Sequence, residues 1–362
     1  MSVIPAPAFI DLHVHLREPG QEYKEDIESG CRAARAGGFG TVFCMPNTNP
    51  VNDNPEVTKY ILRRANEVGL VKVYPVCAIS KNLEGKELVD FEAMAKEGVI
   101  AVSDDGSCVQ NESLMLEAMK IAAKLDILVI EHAEDFSTSY TQSDSENIII
   151  ERDIRLAEKT GARVHIAHIS TKDGVDMIRR AKSLGLNVSC EATPHHLLLT
   201  ENDVARLGAN AKMKPPLRTE EDRRALIKAL KDGTIDAIAT DHAPHAPHEK
   251  KDFESAAFGV IGMESAFPAC MQLVHRGNIS FERLIELFTT GPAKVAHLSF
   301  PNGGESSSSN ARNLSSPNSF VGDPSITIDP DAIIKIDANK FQSKSRNCPF
   351  DGMELKGKVW FS

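Results

Sequence analysis

The chain has 362 residues, 41% hydrophobic and 25% charged, enough to bury a large core either as two ordinary domains or as one α/β barrel. A formal charge of −10 speaks against a nucleic-acid-binding surface. There is no apolar run of roughly 18 residues and no basic leader before an apolar stretch, so the expectation is a soluble, cytoplasmic protein.

Short apolar, β-branched runs alternate with helical stretches along the chain. In order the runs are AFIDL (8–12), TVFCM (41–45), VKVYPV (71–76), VIAVS (99–103), ILVIE (127–131), RVHIA (163–167), LNVSC (186–190) and IDAIAT (235–240). Between them, segments such as 54–69, 112–126 and 171–185 carry helical periodicity, several closing on a glycine. Strands and helices alternating in this way predict a parallel (β/α)8 barrel over residues 8–298, with a doubly wound sheet as the other arrangement the periodicity allows. Residues 299–324, dense in Ser, Asn, Gly and Pro, read as a flexible loop. Beyond them ITIDPDAIIKID and LKGKVWFS read as strands of a small β appendage that residues 1–7 and 325–362 would share. The seven cysteines (Cys31, Cys44, Cys77, Cys108, Cys190, Cys270 and Cys348) are scattered and never spaced as CxxC. That argues against a disulfide framework or a thiolate zinc site and leaves them as small buried hydrophobes.

The first strand ends in His13 and His15, on one face because strand periodicity is two. In a parallel barrel the C-terminal strand ends form a common mouth, so the pair is placed to grip one ion. Two histidines alone are equally compatible with solvation or with pairing to acids. What weighs against that is recurrence: Asp104 and Asp105 follow the fourth run, His132 the fifth, His168 the sixth, His195 and His196 the seventh, and Asp241, His242 and His245 the eighth. Nitrogen and oxygen donors without thiolates favour zinc, with manganese or cobalt as alternatives. The donors exceed what one tetrahedral ion needs, which favours two ions sharing a carboxylate.

FIDLHVHLREPG (9–20), CMPNTNP (44–50), SDDGS (103–107), EHAED (131–135), HIST (168–171), EATPHHLLLT (191–200), KPPLR (214–218) and ATDHAPH (239–245) together resemble the dihydroorotases of the amidohydrolase superfamily, specifically the bacterial class I type. The likeness runs over 8–298 and resumes near 343–359. It implies reversible cyclisation of N-carbamoyl-L-aspartate to L-dihydroorotate in pyrimidine synthesis, with His13, His15 and Asp241 on one zinc, His132 and His168 on the other, and Asp105 between them. Relatives that use a carboxylated lysine, the hydantoinases among them, differ here: VSDDGS offers none. Asp241 would also be the general acid/base. Arg17 would meet the α-carboxylate of the dianionic substrate, helped by Asn47 and His245, while Phe258 and Gly259 belong to a segment whose backbone closes over the ring. His195 and His196 lie near the mouth in the family without counting as ligands.

The chain departs from the family pattern in three places. Residues 1–7 are too few for the several N-terminal strands of a complete β-sandwich, the 133–150 segment is short, and Lys214 replaces an asparagine that contacts substrate in many relatives. Those departures support two alternatives: a catalytically weak subunit that assembles with aspartate transcarbamoylase, and another cyclic amidase such as a hydantoinase or allantoinase. A homo-oligomer is expected in either case.

Overall fold

The computed structural model describes residues 3–298 and 325–362, so the Ser-rich stretch 299–324 lies outside the described residues. A short strand β1 (Ile4–Pro7) comes first. Each of the eight apolar runs then supplies one strand: β2 (Phe9–Val14), β3 (Phe39–Cys44), β4 (Lys72–Pro75), β5 (Ala101–Val102), β6 (Leu128–Glu131), β7 (Val164–Ile166), β8 (Val188–Ala192) and β9 (Ala237–Ile238). β2-β3-β4 form one parallel sheet and β5 to β9 another, each in sequence order. A parallel bridge between Cys77 and Val102 joins β4 to β5, and a second, between Val14 and His242, joins β2 to the segment after β9. At that seam the His15 amide donates to the His242 carbonyl at 2.9 Å.

The helices between strands start and stop where local chemistry dictates. Helix Pro55–Val68 has Asn54 accepting from the Val57 amide and Pro55 at its first position, and it ends on Gly69 in the left-handed region. Helix Ser143–Thr160 begins inside the polar SDSEN stretch of the shortened segment.

Helix-facing strand residues pack with helix residues into the main core, where Phe9 sits 4.9 Å from the Phe288 ring and 5.7 Å from the Phe39 ring. A second buried cluster gathers Ile10, Leu12, Phe43, Ile100, Leu128 and Ile130 from successive strands. Each such fully buried side chain contributes on the order of 1.5–3 kcal/mol. All seven cysteines are buried and unpaired. Among the described residues no helix is long and apolar enough to cross a membrane.

The chain ends meet in a three-stranded antiparallel sheet, β1-β10-β11, with β10 (Ser325–Lys335) in the centre and β11 (Glu354–Phe361) packed on helix Met263–His275. That packing needs Gly357: a Cβ there would stand 2.7 Å from Met271 Cγ, and its φ is +111°. Residues 343–347 run back to the strand ends. There Asn347 Nδ2 donates to the carbonyls of Ala243 at 3.1 Å and Gly259 at 3.2 Å.

Candidate active site

The C-terminal ends of five strands bring six of the sequence-singled residues together. His13 is in β2 and His15 just beyond it; Asp105 follows β5, His132 follows β6, His168 follows β7 and Asp241 follows β9. All six are buried. Two groups have donor atoms mutually within 4.8 Å: His13, His15 and Asp105, and Asp105, His132 and His168. Asp105 belongs to both, with Oδ1 3.2 Å from His13 Nε2 and 3.6 Å from His132 Nδ1, and Oδ2 3.5 Å from His15 Nε2. Asp241 Oδ1 joins the first group at 3.1 Å from His15 Nε2 and 3.6 Å from His13 Nε2. Asp104, next in sequence to Asp105, turns away and accepts the amides of Ile79 and Ser80 at 2.7 and 2.9 Å.

Backbone strain collects here. Arg17, His168 and Asp241 hold φ of 63°, 34° and 46°, a region that side-chain-bearing residues rarely adopt. Such conformations persist only where the surroundings over-determine them, and they aim these side chains at the strand ends.

The electrostatics suit a cation. Burial pushes Asp105 up, yet the charge and hydrogen bonds of His13, with His132 and His168, bring it well below the usual carboxylate range. Burial is likewise outweighed at Asp241, held low by His15 and His13. His132, despite burial, is pushed up to about 9 by Asp105 and Glu134. Carboxylates kept ionised at the centre of a group of imidazoles form a place where a divalent cation can bind. Both ring nitrogens of His13 are buried and face carboxylates, Nε2 3.2 Å from Asp105 Oδ1 and Nδ1 3.5 Å from Glu191 Oε1. The donor set, four imidazoles and two carboxylates with no thiolate, therefore fits a metal of the zinc type.

Around the cluster, Asn47 accepts from or donates to its neighbours at both ends, with Oδ1 2.9 Å from His15 Nδ1 and Nδ2 donating to Asp105 Oδ2 at 3.1 Å. Arg17 is buried, donates to the Pro244 carbonyl at 3.2 Å and lies 3.5 Å from His245 Nε2. The same His245 nitrogen is 2.7 Å from the Phe258 carbonyl, which fixes the Phe258–Gly259 backbone beside Arg17. Gly259 has φ +124°, and a Cβ would stand 2.5 Å from that of Ala243. Burial, followed by the charge of Arg17, lowers His245 to about 3, so it is neutral near pH 7. Lys214 donates to Glu134 at 2.6 Å. His196 bonds Thr193 and the Pro215 carbonyl, and His242 Nδ1 accepts from the Gly262 amide; neither joins the donor groups. His195 lies tilted against His196, ring centroids 4.6 Å apart, with its Nε2 buried and unpartnered.

Three residues at the site were not singled out in the sequence. Glu134 lies 3.1 Å from His132 Nε2, Glu191 lies 3.5 Å from His13 Nδ1, and Tyr140 packs edge-on against Phe258 at 5.1 Å. Glu134 carried a usable signal, an acid two residues beyond a strand-end histidine. Glu191 did not, because it lies within β8 and its partner is distant in the chain.

A family model described as dihydro-orotase-like matches residues 3–146. A protein named dihydroorotase from Desulforapulum autotrophicum is 45% identical over 98% of this chain and 84% of its own length. The chain belongs to the dihydroorotase family. A dihydroorotase from Aquifex aeolicus is 43% identical over 99% of the chain and 86% of its own length. Among solved structures, an L-hydantoinase from Arthrobacter aurescens superposes with a TM-score of 0.85 at 25% identity, covering 98% of this chain and 82% of that one. The Saccharomyces cerevisiae dihydroorotase in complex with 5-fluoroorotic acid superposes at 0.80 with 18% identity over 100% of this chain and 99% of its own, a likeness of fold. As a dihydroorotase family member the chain is a cyclic amide hydrolase on the TIM-type amidohydrolase fold, and its buried His/Asp groups are ones that could hold a metal ion.

Proposed function

We propose that the chain hydrolyses L-dihydroorotate reversibly to N-carbamoyl-L-aspartate as a cytoplasmic, class I enzyme of pyrimidine synthesis, with two zinc ions at the ends of eight strands closed into one barrel. The observation that carries this reading is Asp105, a single carboxylate shared by two histidine groups, with Asp241 beside it, in a chain 45% identical to a dihydroorotase. His13, His15 and Asp241 would hold one ion, His132 and His168 the other, with Asp105 between. The bridges at Cys77–Val102 and Val14–His242 support closure, and a carboxylate at position 105 supports the class I assignment.

When bound, the ions supply Lewis-acid polarisation of the amide carbonyl and acidify a water. The protein's own residues do the rest. Asp241, kept ionised, takes the proton of the attacking water and returns it to the ring nitrogen as the C–N bond breaks; in cyclisation the transfers reverse. The Arg17 guanidinium offers two parallel N–H donors to the substrate carboxylate, with His245 and the Asn47 amide beside it. Phe258 and Gly259 present backbone to the ring, and Lys214 adds positive charge at the same mouth.

Rates on dihydroorotate, hydantoin and allantoin test this directly. A preference for dihydroorotate of at least about 100-fold is expected, because a buried arginine with no carboxylate to bind leaves its donors unpaired. Faster turnover of hydantoin or allantoin would assign another cyclic amidase. Turnover that appears only on adding aspartate transcarbamoylase would assign the dependent-subunit reading, and size-exclusion chromatography of the same sample reads out the expected homo-oligomer.

A further inference from the structure

The sequence reads Lys214 as a departure from the family pattern, and the structure engages its ammonium. Nζ donates to Glu134 Oε1 at 2.6 Å, and the other oxygen of that carboxylate lies 3.1 Å from His132 Nε2. The remaining ring nitrogen of His132, Nδ1, faces the donor cluster, 3.0 Å from His168 Nε2 and 3.6 Å from Asp105 Oδ1. A continuous chain thus runs from Lys214 through Glu134 and His132 to the second donor group. Glu134 is only 7% exposed, and its backbone carbonyl is tied down by Gln110 Nε2 at 2.9 Å. The lysine also lies 5.2 Å from the Tyr140 ring and 4.9 Å from the Phe258 ring, which meet edge to face. It is therefore held between two loops, 133–142 and 256–260.

We propose that Lys214 is a positioning residue for His132. Through Glu134 it fixes the tautomer and plane of that imidazole and thereby sets how tightly the Asp105, His132 and His168 group holds a divalent ion. An asparagine in its place could not reproduce the 2.6 Å contact that aims Glu134 at His132, whereas another long cation could. A carboxylate that orients a ligating histidine is worth about 10–100-fold in metal affinity, so loss of the residue that holds the carboxylate is expected to cost a similar factor. The inference rests on the two-ion reading above and adds to it, since a substrate contact alone would not change metal retention.

The test uses zinc-loaded full-length chain competed against graded dipicolinate, with zinc per chain and the kcat and KM for dihydroorotate measured on the same samples. For Lys214→Met and Glu134→Gln we expect one ion to be lost at roughly 10-fold lower chelator than in the parent. The double variant should lose it no more readily than Glu134→Gln alone, and Lys214→Arg should stay within a few-fold of the parent. Lys214 is partly exposed, so Lys214→Met carries the test even where Glu134→Gln does not fold. Unchanged zinc retention in Lys214→Met, with only KM raised, would overturn the inference and leave Lys214 as a substrate contact. A parent chain that holds no zinc would instead bring down the two-ion reading, and this inference with it.

Discussion

The strand-end cluster and the inward face of the end sheet are both buried, and they are held together by opposite physics. In the end sheet, Ile326 and Ile328 of β10 have no exposed surface and face the main apolar core, so burial itself stabilises them. At the strand ends, burial works against the charged forms of Asp105 and Asp241, and chiefly the facing imidazoles keep them ionised. The first arrangement is optimised for stability. The second stores unfavourable desolvation, with left-handed backbone at Arg17, His168 and Asp241; on the proposed function a bound cation would offset that desolvation.

If that contrast is right, substitutions in the two regions separate activity from stability. The largest effect is expected for Asp241→Asn, which cannot accept the proton: kcat for dihydroorotate should fall by about 10²–10⁴-fold while the thermal melt followed by circular dichroism stays near that of the parent. Activity within a few-fold of the parent would remove Asp241 from its assigned role. Ile328→Ala should do the reverse, costing about 2–5 kcal/mol in denaturant melts with kcat per folded molecule unchanged.

Glu264 sharpens the comparison, because it is a carboxyl half-buried under the end sheet's return segment rather than in the site. Its carboxylate accepts the amides of Gln342 at 2.9 Å and Ser343 at 3.1 Å. Burial nevertheless pushes it from 4.5 up to about 7, with Glu25 adding to the rise and Arg346 opposing it. Between pH 4.5 and 7 the folded chain keeps a proton that the unfolded chain releases, so stability falls as pH rises through that window. Glu264→Gln cannot ionise. It should match the parent near pH 4 and exceed it above pH 7 by up to about 3 kcal/mol, less whatever the second acceptor contributed. Parallel stability–pH curves for the two proteins would contradict the burial assigned to this group.

A smaller effect is expected at Arg17. Removing one charge-assisted contact costs about 1.5–3 kcal/mol, so Arg17→Met should raise KM for dihydroorotate by about 10–100-fold with a lesser change in kcat. An unchanged KM would place the carboxylate elsewhere.

How much of this could be read in the sequence follows the same division. The six clustered side chains were legible because each sits at the end of an apolar run, where strand periodicity and a common mouth leave few other places for it to point. The pair Asp104 and Asp105 shows the limit of that reasoning, since adjacent identical residues diverge only once the Ile79 and Ser80 amides are in place to claim one of them. Tyr140 escaped because its partner, Phe258, comes from a loop far along the chain. In the end sheet, residues 10 or fewer from the start supply a single strand with two prolines, IPAP, which does not look like a strand. Pro5 and Pro7 are tolerated because β1 lies at the sheet's edge, where a missing amide donor breaks no ladder on its outer side.

The central claim is that a metal-loaded His/Asp cluster at the strand ends hydrolyses dihydroorotate. Its most direct test is turnover and zinc content measured on one preparation while a chelator is titrated in and zinc is then returned. The account predicts that dihydroorotate hydrolysis falls in step with zinc, from roughly two ions per chain to none, and returns when the metal is restored. Turnover that survives complete removal of metal, or none at all in the zinc-replete chain, would contradict it.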